Sequence, residues 1–477
     1  MRARARLLTA ALVAGVAIAP SLPANAESHD ADRAVAAVAW MAKQTSAKHK
    51  MLESVAGTAD PGLTLDAVLA GLAAGAPQAT TDGWLKAAEG PFKERVMANA
   101  NYGTQQDNGM IAKALVALSA SGRSTTSYDG INPRALTAAS FNGSGEAGWS
   151  KGTNAFGQGY AMIGLARTGT LPASTVSFVA GKQCADGGFP MNFTAGKGCT
   201  AQSDPDGTAL LVMGLRAAKA KGIKAADAPL TKAVGYLKKL QRGNGSYWGA
   251  PVYTEVENAN TTGLVAAALS DLDSGTVART RTWMGSMTIT SGADSGAIAY
   301  SAADKAKGIT NLNRGTWVRA TTQGLFSYAP VDFYRLKRGG FDVYSTPGQH
   351  TLNGRQWRTS CEKYSATTRC RTDIQATVIK QAANGSFYAS NGWTFNNLTY
   401  QPSARAIWKG NPLATPGTHV VNGRKWFTEC DNAKTGRNGC RSYTETSYIS
   451  NVAKPGQPAR YAWTKGMVFN NIVRFTG

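Results

Sequence analysis

The side chains that most often do chemistry in enzymes are sparse in this chain of 477 residues. Histidine is the usual base of a hydrolytic triad and a common zinc ligand. None of the four histidines lies in the Ala-, Gly- and Leu-rich helical segments described below, which excludes a histidine-based hydrolase or a histidine metal site there. They are His29, His49, His350 and His419.

The six cysteines fall into three close pairs with separations of 15, 9 and 10 residues. These spacings differ from the Cys-x-x-Cys pattern of zinc sites. An even count and local pairing predict three short-loop disulfides, each worth about 2–3 kcal/mol, formed in an oxidising compartment. We expect each bridge to clamp one loop. The pairs are Cys184/Cys199, Cys361/Cys370 and Cys430/Cys440.

A group of mostly uncharged polar residues lies at or near the starts of the Ala-, Gly- and Leu-rich segments. Amides and hydroxyls with one arginine suit recognition of a polar, mostly uncharged ligand. The alternative is that they satisfy the backbone groups at helix ends. The candidate ligand-binding residues are Asn108, Asn154, Gln158, Thr208, Asn260, Thr261, Arg319 and Gln323.

The elements that would position these residues repeat along the chain. Six apolar, small-residue segments begin near residues 64, 108, 154, 206, 260 and 319. More amphipathic segments alternate with them, at 30–44, 82–97, 131–141, 172–184, 226–241 and 274–287. This period predicts twelve helices in six hairpins that close into a mainly α, (α/α)6 toroid. The small-residue helices would lie inside and the amphipathic ones outside, with the inner helix starts gathered at one mouth.

Two turns follow one pattern, a helix ending in Gln, then Gly, then an aromatic residue. They run from Gln183 to Phe189 and from Gln241 to Trp248, with a partial copy at Trp40–Gln44. We expect each helix to close at Gly, with the Gln side chain bonding to the next hairpin.

These turns resemble the QW-type repeat of the prenyltransferase/squalene-oxidase group. Residues 30–330 resemble secreted bacterial proteins with such repeats, through motifs at 199–209, 258–264, 296–300 and 319–323. The resemblance implies a toroid of the kind shared by terpenoid cyclases, protein prenyltransferase subunits and cobalamin carriers. It gives no certain cofactor, and cobalamin or another corrinoid is one candidate ligand.

The same resemblance gives Asp206 a candidate catalytic role. Class II terpenoid cyclases carry Asp-x-Asp-Asp, whose middle Asp protonates the substrate, and Asp206 of Asp204-Pro-Asp-Gly207 would match it. Gly207 replaces the third Asp, and no Asp-Asp-x-x-Asp metal motif occurs. The alternative is that Asp206 is the N-cap of an inner helix. The zinc site of a prenyltransferase lacks its ligands, so no metal is predicted.

The last part of the chain is a basic tandem repeat. Residues 339–477 carry 17 basic and 6 acidic residues, a net charge of +11, against +8 for 27–338. Residues 346–361 match 415–430 at a constant offset of 69. We therefore predict a toroid domain at 27–338 and two small disulfide-containing β-rich repeats at 339–412 and 413–477.

Each repeat contains Asn-Gly between alternating strand-like residues, which indicates a two-residue type I′ hairpin. Counting outward places His beside Trp on one face of each hairpin. These residues form a candidate platform for a glycan or the cell envelope, for example an anionic cell-wall polymer. The alternative is that the tryptophans anchor a small core. The platform residues are His350, Arg355, Trp357, His419, Arg424 and Trp426, with Trp393 and Trp408 as further candidates.

Residues 1–26 have the charged start, short apolar run and Ala24-Asn-Ala26 end of a secretory signal peptide. No later apolar run has transmembrane length, and no nucleic-acid recognition motif occurs, so neither a membrane span nor a nucleic-acid partner is expected. We expect a secreted, extracellular protein that associates with the cell wall.

The predicted function is binding: a small molecule or glycan held in the toroid, carried by a basic aromatic tail. The alternatives are a terpenoid-cyclase-like or polysaccharide-cleaving enzyme, and a structural surface scaffold.

Overall fold

The computed structural model describes residues 27–97, 107–148, 153–249, 255–432, 434–436, 438–454 and 456–476. The predicted signal peptide lies outside the described residues. The chain divides into a helical unit, Glu27–Phe341, and a β unit that begins at Asp342.

The described part of the helical unit contains fourteen α-helices and three short strands. None of the described helices combines the length and hydropathy needed to cross a membrane. The helices are α1 (Ala31–Lys43), α2 (Pro61–Ala73), α3 (Gln78–Glu89), α4 (Phe92–Met97), α5 (Asn108–Ala120), α6 (Pro133–Ala139), α7 (Ala155–Thr168), α8 (Ser174–Gly181), α9 (Pro205–Ala220), α10 (Asp227–Leu240), α11 (Ala259–Ala268), α12 (Ser274–Met287), α13 (Ala302–Lys307) and α14 (Arg314–Gly324). The strands are β1 (Glu27–Asp30), β2 (Glu53–Val55) and β3 (Thr58–Ala59).

Six inner helices form a closed ring. In the order α2, α5, α7, α9, α11 and α14, each contacts the next, and α14 contacts α2. The inner helix α2 buries all thirteen of its residues, whereas the outer helix α10 buries one stripe that includes Leu230, Ala233 and Leu237. A helix that is apolar all round is stable only when it is surrounded, which explains the division into inner and outer helices. The predicted ring of paired helices is therefore present.

Two details of the helix prediction are wrong. The segment 82–97 was expected to be one helix, but it belongs to two, α3 and α4, which are separated at Gly90-Pro91. Proline cannot donate the backbone hydrogen bond that continues a helix and clashes with the preceding turn. The short helix α13 was not predicted, because six residues are too few for a periodic pattern.

Small residues allow the inner helices to approach each other closely. A Cβ atom added at Gly263 of α11 would lie 2.0 Å from the carbonyl oxygen of Gln323 in α14. This contact is far shorter than any side chain tolerates, so the ring closes here only with glycine.

The Gln-containing turns follow the prediction in part. Neither helix closes at a left-handed Gly, because the C-caps are Lys182 for α8 and Gln241 for α10, and the left-handed Gly187 and Gly245 come later in the turns. The Gln183 side-chain amide donates to the carbonyl of Pro229, at 2.9 Å, in the next outer helix. Gln241 donates in the same way to the carbonyl of Thr276, also at 2.9 Å. The prediction that each Gln bonds to the next hairpin is confirmed.

Residues 329–341, here called the strap, cover the carboxyl ends of inner helices. Arg167 at the end of α7 donates to the carbonyls of Phe333, at 3.0 Å, and Tyr334. Arg216 of α9 pairs with the buried Asp332 at 3.1 Å. The opposite end of the ring, where the inner helices start, is the end that carries the predicted polar residues.

The β unit is one sheet rather than two separate modules. Its eight strands follow the order β4-β5-β6-β7-β11-β10-β9-β8, and only the central pair, β7 and β11, is parallel. Each repeat thus supplies one half of the sheet. The strands are β4 (Gly348–Leu352), β5 (Arg355–Tyr364), β6 (Thr367–Gln381), β7 (Phe387–Ser403), β8 (Gly417–Val421), β9 (Arg424–Cys430), β10 (Gly439–Asn451) and β11 (Tyr461–Phe475).

The hairpin prediction is confirmed in both repeats. Asn353 and Gly354 have φ values of 53° and 66°, the left-handed region that a type I′ turn requires. Asn422 and Gly423 have φ values of 50° and 73°. The paired residues are those counted from the sequence, with His opposite Trp in each hairpin.

All three predicted disulfides are formed. In the β unit, Cys361 pairs with Cys370 and Cys430 with Cys440, each between directly opposed residues of adjacent strands. These two bridges therefore reinforce pairs of strands that are already hydrogen-bonded, and each closes the loop between them.

The third bridge, Cys184–Cys199, closes the loop between α8 and α9 in the helical unit. Cys199 is exposed and lies outside any helix or strand, whereas Cys184 is half-buried. The ammonium of Lys182 holds the same loop, because it donates to the carbonyls of Thr194 and Lys197, both at 2.6 Å. Cys199 thus clamps a surface loop, as the spacing predicted.

Candidate functional site

At the mouth of the ring, each inner helix begins with a polar N-cap residue. Asp204 caps α9, because its carboxylate accepts a hydrogen bond of 2.6 Å from the backbone N–H of Gly207. The alternative role of Asp206 as the cap is therefore wrong by two residues, and Asp206 lies in the first turn with no capping function. Asn154 is the cap of α7 and accepts from the N–H of Gly157 at 2.9 Å.

The residue four positions after the cap holds the preceding loop. Thr208 Oγ1 accepts from the N–H of Phe189 at 2.9 Å, and Gln158 Oε1 accepts from the N–H of Ala147 at 2.8 Å. The Gln158 amide also donates to Thr175 Oγ1 at 2.7 Å. Both side chains are fully buried, and their bonds stay inside the ring. Thr64 and Thr262 follow the same rule, so the cap-plus-four spacing was a signal of structure that we missed.

A second set of predicted residues has polar atoms without partners. The Oδ1 atoms of Asn108, Asp206 and Asn260, and Oγ1 of Thr261, are buried and make no hydrogen bond to any residue that the structure describes. They belong to the first turns of α5, α9 and α11. Buried polar atoms are nearly always hydrogen-bonded in folded proteins. Such exceptions also occur elsewhere in the helical unit, for example Ser121 Oγ and Trp317 Nε1, but the four at the mouth all lie in first turns of inner helices, where a ligand or water would satisfy them.

Asp206 is the electrostatic centre of this set. Burial, and secondly the charge of Asp204, raise the pKa of the Asp206 carboxyl to about 7, while the nearby Thr261 hydroxyl lowers it through a contact that does not have full hydrogen-bond geometry. Burial also raises the pKa of Asp204, although the hydrogen bond from the backbone N–H of Gly207 lowers it. Two buried carboxyls in one helix turn do not ionise together easily, so Asp206 titrates near neutral pH.

An opening lies beside Asn260. It has a volume of about 180 Å³ and is lined by Ser54, Asn260, Tyr300, Gly315, Thr316 and Arg319. Since a water molecule takes up about 30 Å³, the space holds roughly six waters. Arg319 pairs with Asp60 at 3.4 Å, so the cation is partly neutralised. Gln323 lies one turn further along α14 and does not line the opening.

Charged residues meet deeper among the inner helices. Lys113 of α5 pairs with Asp66 of α2 at 2.7 Å, and its ammonium lies 5.5 Å from the ring centre of Tyr160 in α7. Tyr160 stacks on Phe333 of the strap at 6.2 Å. Burial, and then the charge of Asp66, raise the pKa of the Tyr160 hydroxyl well above its usual value. A single charged residue inside an apolar helix, such as Asp66 in α2, is the sequence signal of this ion pair.

The predicted platform of the β unit is largely structural. The Nε2–H of His350 donates to the carbonyl of Thr346, and that of His419 to the carbonyl of Thr415, both at 2.8 Å. Trp357 is only 8% exposed and donates to the Leu352 carbonyl at 3.1 Å, whereas Trp426 is half-buried. The core-anchor alternative therefore describes Trp357.

The two His–Trp pairs also lie on opposite faces of the sheet. Trp357 shares its face with Asn397, and Trp426 shares its face with Leu398, the next residue along β7. A parallel central pair reverses the second repeat relative to the first, so the pairs cannot form one surface. Arg355 is exposed and Arg424 is half-buried, each beside its hairpin turn.

No group of three or more His, Cys, Asp and Glu side chains within the described ranges is arranged to hold a metal ion.

Comparison with known proteins finds similar solved structures only. No protein-family model matches the chain, and no curated protein matches it by sequence. The apo type II terpene cyclase MstE from Scytonema is 15% identical with a TM-score of 0.42, covering 62% of this chain and 97% of that one. A protein from Actinoplanes is 17% identical, with a TM-score of 0.43 and coverages of 63% and 98%. A wild-type glycosidase is 12% identical, with a TM-score of 0.42 and coverages of 65% and 97%. Likeness at this level says nothing about what this chain binds.

Proposed function

We propose that the mouth of the ring binds a hydroxyl-rich small molecule or one unit of a glycan. The observation that carries this proposal is the set of buried, unpaired acceptors, the Oδ1 atoms of Asn108, Asp206 and Asn260. A ligand that satisfies acceptors must supply donors, and hydroxyl groups are compact, uncharged donors. Leaving such atoms unpaired costs about 1–3 kcal/mol each, and a ligand hydroxyl recovers this.

The polarity of the site favours a sugar-like ligand over a terpenoid. The opening beside Asn260, with a volume of about 180 Å³, is large enough for one ring-sized unit. The ion pair of Lys113 with Asp66 makes the interior a poor solvent for hydrocarbon. Cobalamin serves as a comparison compound in the test.

Acid catalysis is the second candidate function, because the Asp206 carboxyl has a pKa of about 7. A carboxyl that keeps its proton near neutral pH can donate it to the leaving oxygen of a glycosidic bond. The two functions predict opposite pH dependences. A ligand hydroxyl that donates to the Asp206 carboxylate favours the ionised form, so affinity rises with pH. A general acid must be protonated, so turnover falls as the pH rises through about 7.

The test is a thermal-shift screen of mono- and oligosaccharides, with cobalamin included, followed by calorimetric titration of each stabilising compound. We expect Asn260→Ala to weaken binding about tenfold or more, equal to about 1.4 kcal/mol. The matched control is Asn132→Ala, which removes the cap of the outer helix α6. Equal affinities of wild type and Asn260→Ala for every ligand found would contradict the proposal.

We further propose that the protein is exported and associates with an anionic cell envelope. The net charge of +11 in residues 339–477 and the three disulfides support this. Immunoblots of medium, washed cell walls and cell lysate test the proposal. Recovery of the protein mainly in the lysate, with its first 26 residues still present, would contradict it.

A further inference from the structure

Two long hairpins extend from the sheet of the β unit. Arm 1, residues 373–395, is the part of β6–β7 beyond a bulge at Thr372/Asp373. Arm 2, residues 443–469, is the part of β10–β11 beyond the equivalent bulge at Ser442/Tyr443. A bulge turns a strand pair and increases its twist, so each arm leaves the plane of the sheet.

One face of each arm carries most of its aromatic side chains. Because side chains alternate along a strand, Phe387, Trp393 and Phe395 share a face of arm 1. The aromatic residues on one face of arm 2 are Tyr443, Tyr461, Trp463 and Phe469. Trp393 is 38% exposed and Trp463 is 58% exposed. Large aromatic side chains left in solvent on one face indicate a binding surface.

These two faces meet at the tips of the arms. The rings of Phe387 and Tyr461 are 6.2 Å apart, and the Trp463 indole donates to Gln381 Oε1 at 2.9 Å. The arms also join at their base through the parallel pairing of β7 and β11. They are therefore fixed relative to each other at both ends.

Guanidinium groups lie over the aromatic rings near the base of both arms. Arg358 is 4.7 Å from the centre of Trp393, and Arg371 is 4.8 Å from that of Phe395. Both arginines share a single carboxylate, Asp373, at 3.1 and 2.9 Å, so one positive charge remains in excess. In arm 2, Arg441 occupies the position equivalent to Arg371, 5.5 Å from the centre of Phe469.

We propose that the aromatic faces of the two arms form a binding surface for an acidic polysaccharide. Aromatic rings offer flat apolar contact to the faces of sugar rings, and arginines beside them pair with carboxylate or phosphate groups. The net charge of residues 339–477 is the reason for choosing an acidic polysaccharide as the ligand. A charge of +11 attracts a polyanion and repels a second copy of the chain. This site is independent of the ring and stands or falls separately from the ligand proposed there.

The test is affinity electrophoresis of the full-length mature protein in gels that contain polygalacturonate or, for comparison, neutral dextran. We expect retardation by polygalacturonate and a loss of affinity of tenfold or more in the Trp393→Ala/Trp463→Ala double variant. The matched control is Tyr388→Ala/Tyr448→Ala, which removes two aromatic residues of similar exposure, 49% and 40%, from the opposite faces of the same arms. The control is expected to bind as wild type.

Three results of the electrophoresis would overturn the proposal. They are equal losses in the two double variants, equal retardation by dextran, and no retardation of a wild-type protein with a native circular dichroism spectrum. Sedimentation of the wild type as a dimer that the tryptophan variant abolishes would also overturn it, in favour of self-association. The unfolding transition of the β unit in both double variants serves as the folding control, because a misfolded β unit would lose binding for a reason other than the missing tryptophans.

Discussion

The helical ring and the β unit place their candidate binding groups in opposite ways. The ring has a large continuous core, and its candidate site consists of buried polar atoms without partners at the mouth, in Asn108, Asp206, Asn260 and Thr261. In the β unit, the core around Trp408 and Val473 is small, and tryptophans such as Trp463 lie in solvent. The candidate binding group is therefore a buried polar atom in the ring and an exposed aromatic ring in the β unit.

The two units also differ in what stabilises them. The ring buries whole helices, so packing dominates its free energy of unfolding. The β unit has a single sheet and two of the three disulfides, each joining neighbouring strands. Small units with little core commonly depend on such cross-links. We therefore expect packing changes to lower the free energy of unfolding most in the ring, and loss of a cross-link to lower it most in the β unit.

The largest expected effect is that of adding one methyl group at a glycine. Gly263→Ala forces a Cβ into the carbonyl of Gln323 and should destabilise the ring by about 3 kcal/mol or more. Gly392→Ala in arm 1 meets no atom within 4 Å and should be neutral or stabilise by up to about 1 kcal/mol, since glycine weakens a strand. Urea unfolding of both variants measures the difference. Similar losses of stability at both positions would contradict the claim that packing changes are more costly in the ring than in the β unit.

The next effect concerns Asp206. Its pKa of about 7 in the folded ring exceeds the value of about 3.9 in an unfolded chain. Between these values the folded state holds a proton that the unfolded state has lost, so stability falls as the pH rises from about 4 to 7. Asp206→Asn removes this titration.

We expect the stability of Asp206→Asn relative to wild type to increase by about 2–4 kcal/mol between pH 4 and pH 8. Urea midpoints at several pH values provide the measurement. A difference between the two proteins that does not change with pH would show that Asp206 titrates as an ordinary exposed carboxylate.

Loss of a cross-strand disulfide should act on the β unit alone. Closing a loop of about ten residues contributes roughly 2–3 kcal/mol, so Cys361→Ser/Cys370→Ser should lower the stability of the β unit by that amount. The helical transition in the far ultraviolet should stay unchanged. If the helical signal melts together with the sheet, the two units do not unfold independently.

The smallest expected effect tests whether the left-handed backbone at Asn353 stabilises the first hairpin. Asn353 has a φ of 53°, which alanine adopts only at a cost of about 1 kcal/mol. Asn353→Ala should lower the stability of the β unit by this amount, and Asn353→Gly should restore it because glycine adopts positive φ freely. Equal losses in both variants would mean that the Asn side chain, and not the turn geometry, stabilises the hairpin.

Much of the fold follows from local patterns in the sequence. The spacing of apolar residues predicts the inner helices, Asn353-Gly354 fixes the register that places His350 opposite Trp357, and the cysteine spacing gives the three bridges. Each of these signals depends on residues near one another in the chain. The joining of the two repeats through the parallel strands β7 and β11 depends instead on contacts between residues 72 or 73 positions apart, so no local pattern predicts it.

The candidate sites could be predicted only in part, for the same reason. Asn108, Asn260 and Thr261 were identified because they lie at helix starts, and each has a buried polar atom without a partner among the described residues. Gln158 and Thr208 were selected by the same pattern, yet both accept hydrogen bonds from the preceding loop. A polar residue at a helix start can bond to a loop as well as to a ligand, and the sequence pattern does not distinguish the two. In the aromatic arms, Trp393 was among the candidates, but Trp463 was not, because the face on which it lies depends on a bulge that composition does not reveal.

The most direct test of the central claim, a ligand site at the mouth of the ring, is the affinity of the bound saccharide at pH 5.5 and pH 8.5. Calorimetry of wild type and Asp206→Asn gives all four values. For wild type we expect affinity to rise about tenfold or more with pH, because ligand hydroxyls favour the ionised form of a carboxyl with a pKa of about 7. For Asp206→Asn we expect no change with pH. The same rise in both proteins, or a fall in wild type, would contradict a site at which Asp206 accepts from the ligand.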